Sequence, residues 1–164
     1  MINICDYFRN FFTTREFKLA IEAIEIFNKP YLVGAHISEG VKLPSGESIS
    51  EIITKIDHKN LLGLILSCIS PENYEQNLNE IKNLGVPFGF KLNGFVTTKP
   101  TRGYTNTFKK SKTGNPIEFL GHRKDLTPKK MALIAKKFKS AGATILGGCC
   151  ETRPSHIREM AKLK

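Results

Sequence analysis

LGLILSC, residues 62–68, is apolar on both of its alternating faces and ends in a cysteine. A strand apolar on both sides is covered on both sides, which suits a buried parallel sheet better than a half-exposed antiparallel one. Ser70 and Pro71 follow at once, a capping residue and then a proline at the first helical position. They open a predicted helix to about Leu84. VPFGFKLN (86–93) reads as the next strand. Upstream, YLVGAHI (31–37) is a short β-rich run, and Ser48 with Glu51 makes a capping box ahead of Ile49, Ile52, Ile53 and Ile56. Downstream, Thr127–Pro128 repeats the cap-then-proline signal. It opens a helix through Ser140 whose buried side is Met131, Ala132, Ile134, Ala135 and Phe138. ATILGG (143–148) is the last strand, and residues after Pro154 read as a short final helix.

Strand and helix alternate with short links, the signature of parallel βα units. The chain opens with a helix over 13–28, capped by Thr13 and Glu16, with Phe17, Ala20, Ile21, Ile24 and Phe27 on its apolar face. Asn28 and Pro30 stop it. The exception to the short links lies between Asn93 and Leu126, a long connection rich in Gly, Thr, Lys and Arg. Connections of that length inside a compact domain are usually functional or disordered. About four strands are legible, whereas a closed (β/α)8 barrel runs to roughly 250 residues. The 164 residues therefore form either a small open sheet or part of a barrel, in one domain over 1–164.

Composition excludes several classes. With 40% hydrophobic and 24% charged residues the chain is ordinary globular material, neither disordered nor collagen-like. No apolar run approaches the roughly 18 residues of a membrane span. Asp6 and Arg9 interrupt any signal-peptide layout, so a cytoplasmic location is expected. The net charge of +10 invites a nucleic-acid reading. The basic residues are nevertheless dispersed over helix faces, as at Lys129, Lys130, Lys136, Lys137 and Lys139, and read as solvated surface. Binding through the basic loop 99–112 stays open as an alternative, and it would make affinity salt-sensitive.

Four cysteines remain: Cys5, Cys68, Cys149 and Cys150. A bond between adjacent cysteines closes a strained small ring, and without a secretory signal a disulfide framework is a poor account. Cys68 stands at the carboxyl end of one strand and the vicinal pair at the carboxyl end of another. Parallel βα architecture brings such ends to one face, where barrel active sites are built, so three thiolates can converge with no local spacing motif. Zinc takes thiolates in tetrahedral geometry, and three protein ligands leave a fourth position for a substrate. A centre of that charge lowers the pKa of an incoming thiol and leaves the bound thiolate electron-rich, which suits alkyl transfer onto sulfur. Gly147 and Gly148 are expected to let the backbone approach the ion and turn sharply. Taken alone, Cys68 reads more readily as a buried core cysteine than as a ligand. Cys5 has no partner by spacing.

Residues 147–157, Gly-Gly-Cys-Cys-Glu-Thr-Arg-Pro-Ser-His-Ile, resemble the C-terminal signature of the zinc-dependent homocysteine S-methyltransferases, where GGCC precedes a Gly-Thr-Thr-Pro-x-His-Ile pattern. Cys68 matches the family's upstream cysteine, and 36–51 and 122–128 are similar in texture. The resemblance runs through nearly the whole chain after about residue 13. It implies zinc on Cys68, Cys149 and Cys150, homocysteine sulfur as the fourth ligand, and a methyl donor such as betaine, S-methylmethionine or a methylfolate. The chain resembles the second half of the family domain, roughly strands five to eight of a TIM barrel. It departs from the pattern at Glu151 (family glycine), Arg153 (family threonine) and Leu66–Ser67 (family small residue and asparagine). The strand-one Asp-Gly-Gly element is absent, and residues 9–14 offer no match for the Glu-Thr pair near strand four. Zinc binding and turnover are thus separate expectations. The alternative is a non-catalytic or split half-barrel that binds zinc, assembles as a homo-oligomer or takes a complementary chain. Asn93 and Phe95 are expected to line the substrate pocket. His36 is expected as a hydrogen-bonded core residue, His156 as a cap or packing group, and Arg123 with Asp125 as a local pair.

Overall fold

The structure, a computed structural model, describes residues 14–37, 40–54, 59–97 and 117–163. Four strands, β1 (Tyr31–Ala35), β2 (Leu61–Ile69), β3 (Phe88–Leu92) and β4 (Ile145–Gly148), form one sheet in the order β1-β2-β3-β4, each pair parallel. The helices are α1 (Thr14–Glu25), α2 (Ile49–Ile53), α3 (Pro71–Ile81), α4 (Ile117–Leu120), α5 (Pro128–Ser140) and α6 (Pro154–Ala161). Parallel neighbours in sequence order require a crossover between each pair. This is the repeating βα arrangement the sequence implies.

Local signals set the helix ends as expected. The Ser48 hydroxyl accepts from the Glu51 backbone N–H while the Glu51 carboxylate accepts from the Ser48 N–H, a complete capping box for α2. Ser70 and Thr127 cap α3 and α5 through the N–H groups of Asn73 and Lys130. Asn28 takes φ +45° just after α1, the left-handed position that asparagine tolerates beyond a helix end. The helix is shorter than its apolar periodicity suggests. It ends at Glu25, and Phe27 stands 68% exposed instead of on the buried face. Thr13, Ile56, Cys5 and the loop 99–112 lie outside the described residues. The long connection holds one turn of helix, α4, that composition did not reveal.

The core lies between the helices and one face of the sheet. Val33, Ala35, Leu64, Leu66, Phe90 and Leu92 pack there with Tyr74, Met131, Ala135 and Phe138. Tyr74, Phe90 and Phe138 form a ring cluster with centroids 4.7–5.6 Å apart. Burying such rings contributes about 1.5–3 kcal/mol each, and this packing fixes the strands against the helices.

The opposite face carries a different pattern. Strand register aligns Gly34, Ile65, Gly89 and Ile145 in one row across all four strands. Large side chains come from β2 and β4, and glycine from β1 and β3. One row nearer the carboxyl ends the parity reverses: Ser67 and Gly147 flank Lys91 of β3. In a closed eight-stranded barrel each interior layer is filled by alternate strands in just this way. The sheet and its helices are therefore consistent with part of a barrel. No described helix is long and apolar enough to cross a membrane.

Candidate metal centre

The carboxyl ends of β2 and β4 bring Cys68, Cys149 and Cys150 together. Their sulfur atoms all lie within 4.8 Å of one another, and Cys68 Sγ is 3.7 Å from Cys150 Sγ. Cys68 and Cys149 are half-buried and Cys150 is exposed, so the cluster opens to solvent on one side. All three are free thiols.

Backbone irregularity aims Cys68. The β2–β3 register slips between Ser67 and Ile69, so that Ser67 pairs with Lys91 and Ile69 with Leu92, leaving Cys68 as the extra residue of a bulge. Its φ is +54°. A left-handed residue with a Cβ costs about 1–2 kcal/mol, and bulges that turn a side chain are common beside active sites. An unbulged strand would send alternate side chains to opposite faces; the bulge instead turns this thiol onto the other two.

The vicinal pair is placed by contacts around Gly148. A Cβ there would lie 2.8 Å from Thr152 Cβ and against its hydroxyl, which donates 2.6 Å to the Cys149 carbonyl. Neither Gly147 nor Gly148 has a positive φ. Gly148 therefore serves close packing of the following turn and Gly147, whose Cβ would lie 3.3 Å from the Phe90 carbonyl oxygen, close packing against β3, not the sharp backbone bend expected from the sequence. The left-handed residue of the turn is Glu151, at φ +62°. Its carboxylate lies 3.0 Å from His122 Nδ1, an ion-pair distance. His122 enters the sequence reading only as the first residue of the family-like stretch 122–128, and the other signal toward this pair is the departure from glycine at 151.

The thiols hold one another in unequal states. Cys149 is shifted strongly toward thiolate, because Cys150 and then Cys68 donate hydrogen bonds to it, with help from the Cys150 backbone N–H and the charge of Lys91. Cys68 and Cys150 are pushed up in return, each mainly by its hydrogen bond to Cys149.

The remaining sequence candidates fall as follows. Asn93, fully buried, stands just past β3, and its Nδ2 donates 2.6 Å to the Cys68 carbonyl and lies 4.0 Å from Cys68 Sγ. Its Oδ1 accepts from the Phe95 backbone N–H at 3.2 Å, and Phe95 is buried beside it. His36 sits one residue beyond β1, half-buried, with Nδ1 3.0 Å from the Ser67 carbonyl. His156 is buried away from the thiols. Its Nδ1 accepts from the Arg153 N–H at 3.0 Å and its Nε2 pairs with the Leu126 carbonyl at 2.9 Å, a capping and packing role as expected. Arg123 pairs with Asp125 at 2.8 Å and also with Glu72 at 2.7 Å, tying the start of α3 to the approach of α5.

Three cysteine sulfurs on the carboxyl rim of a parallel βα sheet, close enough together to hold a metal ion, mark a candidate thiolate site in a scaffold consistent with part of a barrel. Comparison with known proteins carries this to a family: the homocysteine S-methyltransferase model matches residues 7–163, and the chain belongs to that family. It is 29% identical over 143 residues to homocysteine S-methyltransferase 1 of Saccharomyces cerevisiae, covering 84% of this chain and 40% of that protein. It is 28% identical over 130 residues to homocysteine S-methyltransferase 1 of Zea mays, covering 76% of this chain and 35% of that protein. The chain thus spans well under half the length of these relatives. Among solved structures, the apo form of the homocysteine methyltransferase MmuM from Escherichia coli superimposes with a TM-score of 0.68 at 16% identity. That match covers 95% of this chain and 48% of the other. The metallated form of the same protein matches with a TM-score of 0.65 at 15% identity.

Proposed function

We propose that this chain supplies the thiolate metal centre of a homocysteine S-methyltransferase, with zinc held by Cys68, Cys149 and Cys150. The sulfur cluster carries this reading. A tetrahedral zinc with sulfur at about 2.3 Å sets neighbouring sulfurs roughly 3.8 Å apart. Cys68 and Cys150 already stand 3.7 Å apart, with Cys149 inside the same 4.8 Å group. Soft thiolates without carboxylate or imidazole in the set favour zinc over hard cations. When bound, zinc leaves its fourth position to a substrate sulfur and favours that sulfur's thiolate form at neutral pH.

The protein's own residues prepare the site. Hydrogen bonds from Cys150 and Cys68 shift Cys149 toward thiolate, which favours a cation at the cluster, while exposed Cys150 keeps the open side toward solvent. In this reading Asn93, bonded to the Cys68 carbonyl, and Phe95, bonded to Asn93, belong to the wall of the substrate pocket. The acceptor is homocysteine, as in the relatives' names. Its sulfur forms a bond to the donor's methyl carbon as the donor's own bond to that carbon breaks, the electron pair leaving with the donor. The product is methionine. Betaine and S-methylmethionine, being cationic, leave as neutral groups, and a methylfolate fits the same step once its methyl-bearing nitrogen carries a proton. Holding the two reactants in line contributes much of the rate.

The four strands correspond in this proposal to strands five to eight of the family barrel, and the site works in the cytoplasm. The half-filled interior layers favour a second, compatible reading in which a homo-oligomer or a complementary half-barrel chain completes the structure. The chain would then elute well above 18.4 kDa, and a compact, soluble monomer would count against it. The metal assignment is tested by elemental analysis of the purified protein beside Cys150→Ala. About one zinc per chain is expected in the parent and strong depletion in the variant. Equal, negligible zinc in both would remove the proposal.

A further inference from the structure

Three consecutive residues at the end of β3 each hold a different cysteine. The Leu92 carbonyl accepts from the Cys149 N–H at 2.7 Å, the Asn93 side chain donates to the Cys68 carbonyl at 2.6 Å, and the Gly94 N–H donates to the Cys150 carbonyl at 2.9 Å. The strand between the two cysteine-bearing strands is thus a splint for the whole cluster. Two of its contacts are main-chain bonds that any sequence could make. The third depends on one side chain.

We infer that Asn93 is the positioning residue of the thiolate cluster: it holds Cys68 in its left-handed bulge and so sets the site's affinity for a thiophilic divalent cation. The described contacts of the side chain all lie at the bulge and the turn after β3. Asn93 is fully buried, its Oδ1 is taken by the Phe95 N–H, and its main-chain N–H is bonded to the Ile69 carbonyl at 2.9 Å. It therefore grips the bulge from both sides, at Cys68 through Nδ2 and at Ile69 through the backbone. The same Nδ2 lies 4.0 Å from Cys68 Sγ, close enough for its second hydrogen to offset charge on that sulfur. Without the amide, a buried carbonyl loses its donor and the strained φ of Cys68 loses a restraint, so the bulge relaxes and the thiol swings from the other two. Residues behind metal ligands typically change affinity by 10–100-fold when replaced.

The inference rests on the metal reading above, and its test separates the two. Asn93→Ala and Asn93→Asp are compared with the parent in a zinc competition against a chromophoric chelator, with cobalt(II) as a spectroscopic substitute. Zinc affinity is expected to fall 10–100-fold, with a weakened sulfur-to-cobalt charge-transfer band and an unchanged far-ultraviolet spectrum. In metal-free protein, diamide (a two-electron oxidant of thiol pairs) is used to cross-link Cys68 to Cys150, read by peptide mass spectrometry. The cross-link is expected to form at least tenfold more slowly in the variants, a change in geometry that general loosening elsewhere would not confine to this pair. Affinity and cross-linking both within twofold of the parent would overturn the inference. Should the parent bind no zinc, the proposed function fails, while the cross-linking rates still decide the role of Asn93. If neither variant folds, exchange of the Asn93 side-chain amide hydrogens in the parent decides: protection supports the inference, and solvent-rate exchange overturns it.

Discussion

Gly89→Ala tests whether the cysteine-bearing strand β4 lies where the fold requires. A Cβ at Gly89 would fall onto the Ile145 carbonyl oxygen, 2.6 Å from its carbonyl carbon and 2.5 Å from Ile145 Cβ. Non-bonded carbons rest at about 3.5–4.0 Å, so β4 must retreat by roughly 1 Å. Hydrogen bonds near 2.9 Å then stretch to about 3.9 Å, beyond useful length. The ladder pairs Gly89 with Ile145, Phe90 with Leu146, Lys91 with Gly147 and Leu92 with Gly148. Losing three or four such bonds at about 1 kcal/mol each costs roughly 3–4 kcal/mol, a large share of a stability of about 5–15 kcal/mol. Gly34→Ala is the control. It lies in the same row, but its added Cβ meets only the Ser67 hydroxyl at 3.2 Å, which can rotate away, so less than about 1 kcal/mol is expected. Urea unfolding followed by circular dichroism measures both. Equal midpoints for the two variants would refute the close approach of β3 and β4.

Three further outcomes follow from the site and its surroundings. Because Cys149 is held as thiolate while Cys68 and Cys150 are held as thiols, binding a divalent metal should release two protons. Affinity should therefore fall about 100-fold per unit drop in pH near neutrality, and a 1,000-fold dependence would show that Cys149 is not ionised beforehand. At Glu151, with φ +62°, glycine should give a protein about 1 kcal/mol more stable than alanine in chemical denaturation, since both lose the His122 pair and only alanine keeps the strain. Alanine equal to glycine there would contradict the left-handed turn. His156→Phe should cost about 1–3 kcal/mol by the same assay, because it strips partners from the part-buried Arg153 N–H and the buried Leu126 carbonyl. A change within 0.5 kcal/mol would contradict its role as a buried cap.

Much of this molecule is legible in its sequence because the signals are local. Capping residues at Ser48, Ser70 and Thr127 announce three helices, and the doubly apolar run ending at Cys68 announces a covered parallel strand. Convergence of the cysteines also follows, since parallel strands share a carboxyl end. What aims them does not follow. The bulge at Cys68 depends on a one-residue slip against β3, and nothing in LGLILSC distinguishes a regular strand from a slipped one. The position of Asn93 past a strand end is visible in the sequence, whereas its bond to the Cys68 carbonyl on another strand is not. The glycines before the pair suggested a sharp turn, yet what excludes a side chain at Gly148 is Thr152 folding back over it. Phe27 fits the helical period of α1 and is exposed because the helix stops before reaching it. For Cys68 and Asn93 a long-range contact decided what a local pattern left open.

X-ray absorption at the zinc edge of the purified, zinc-loaded chain bears most directly on the three-cysteine centre. One zinc per chain with three sulfur neighbours at about 2.3 Å is the expected result, falling to two in Cys68→Ser. A shell of nitrogen and oxygen alone, or a sulfur count untouched by that substitution, would contradict it.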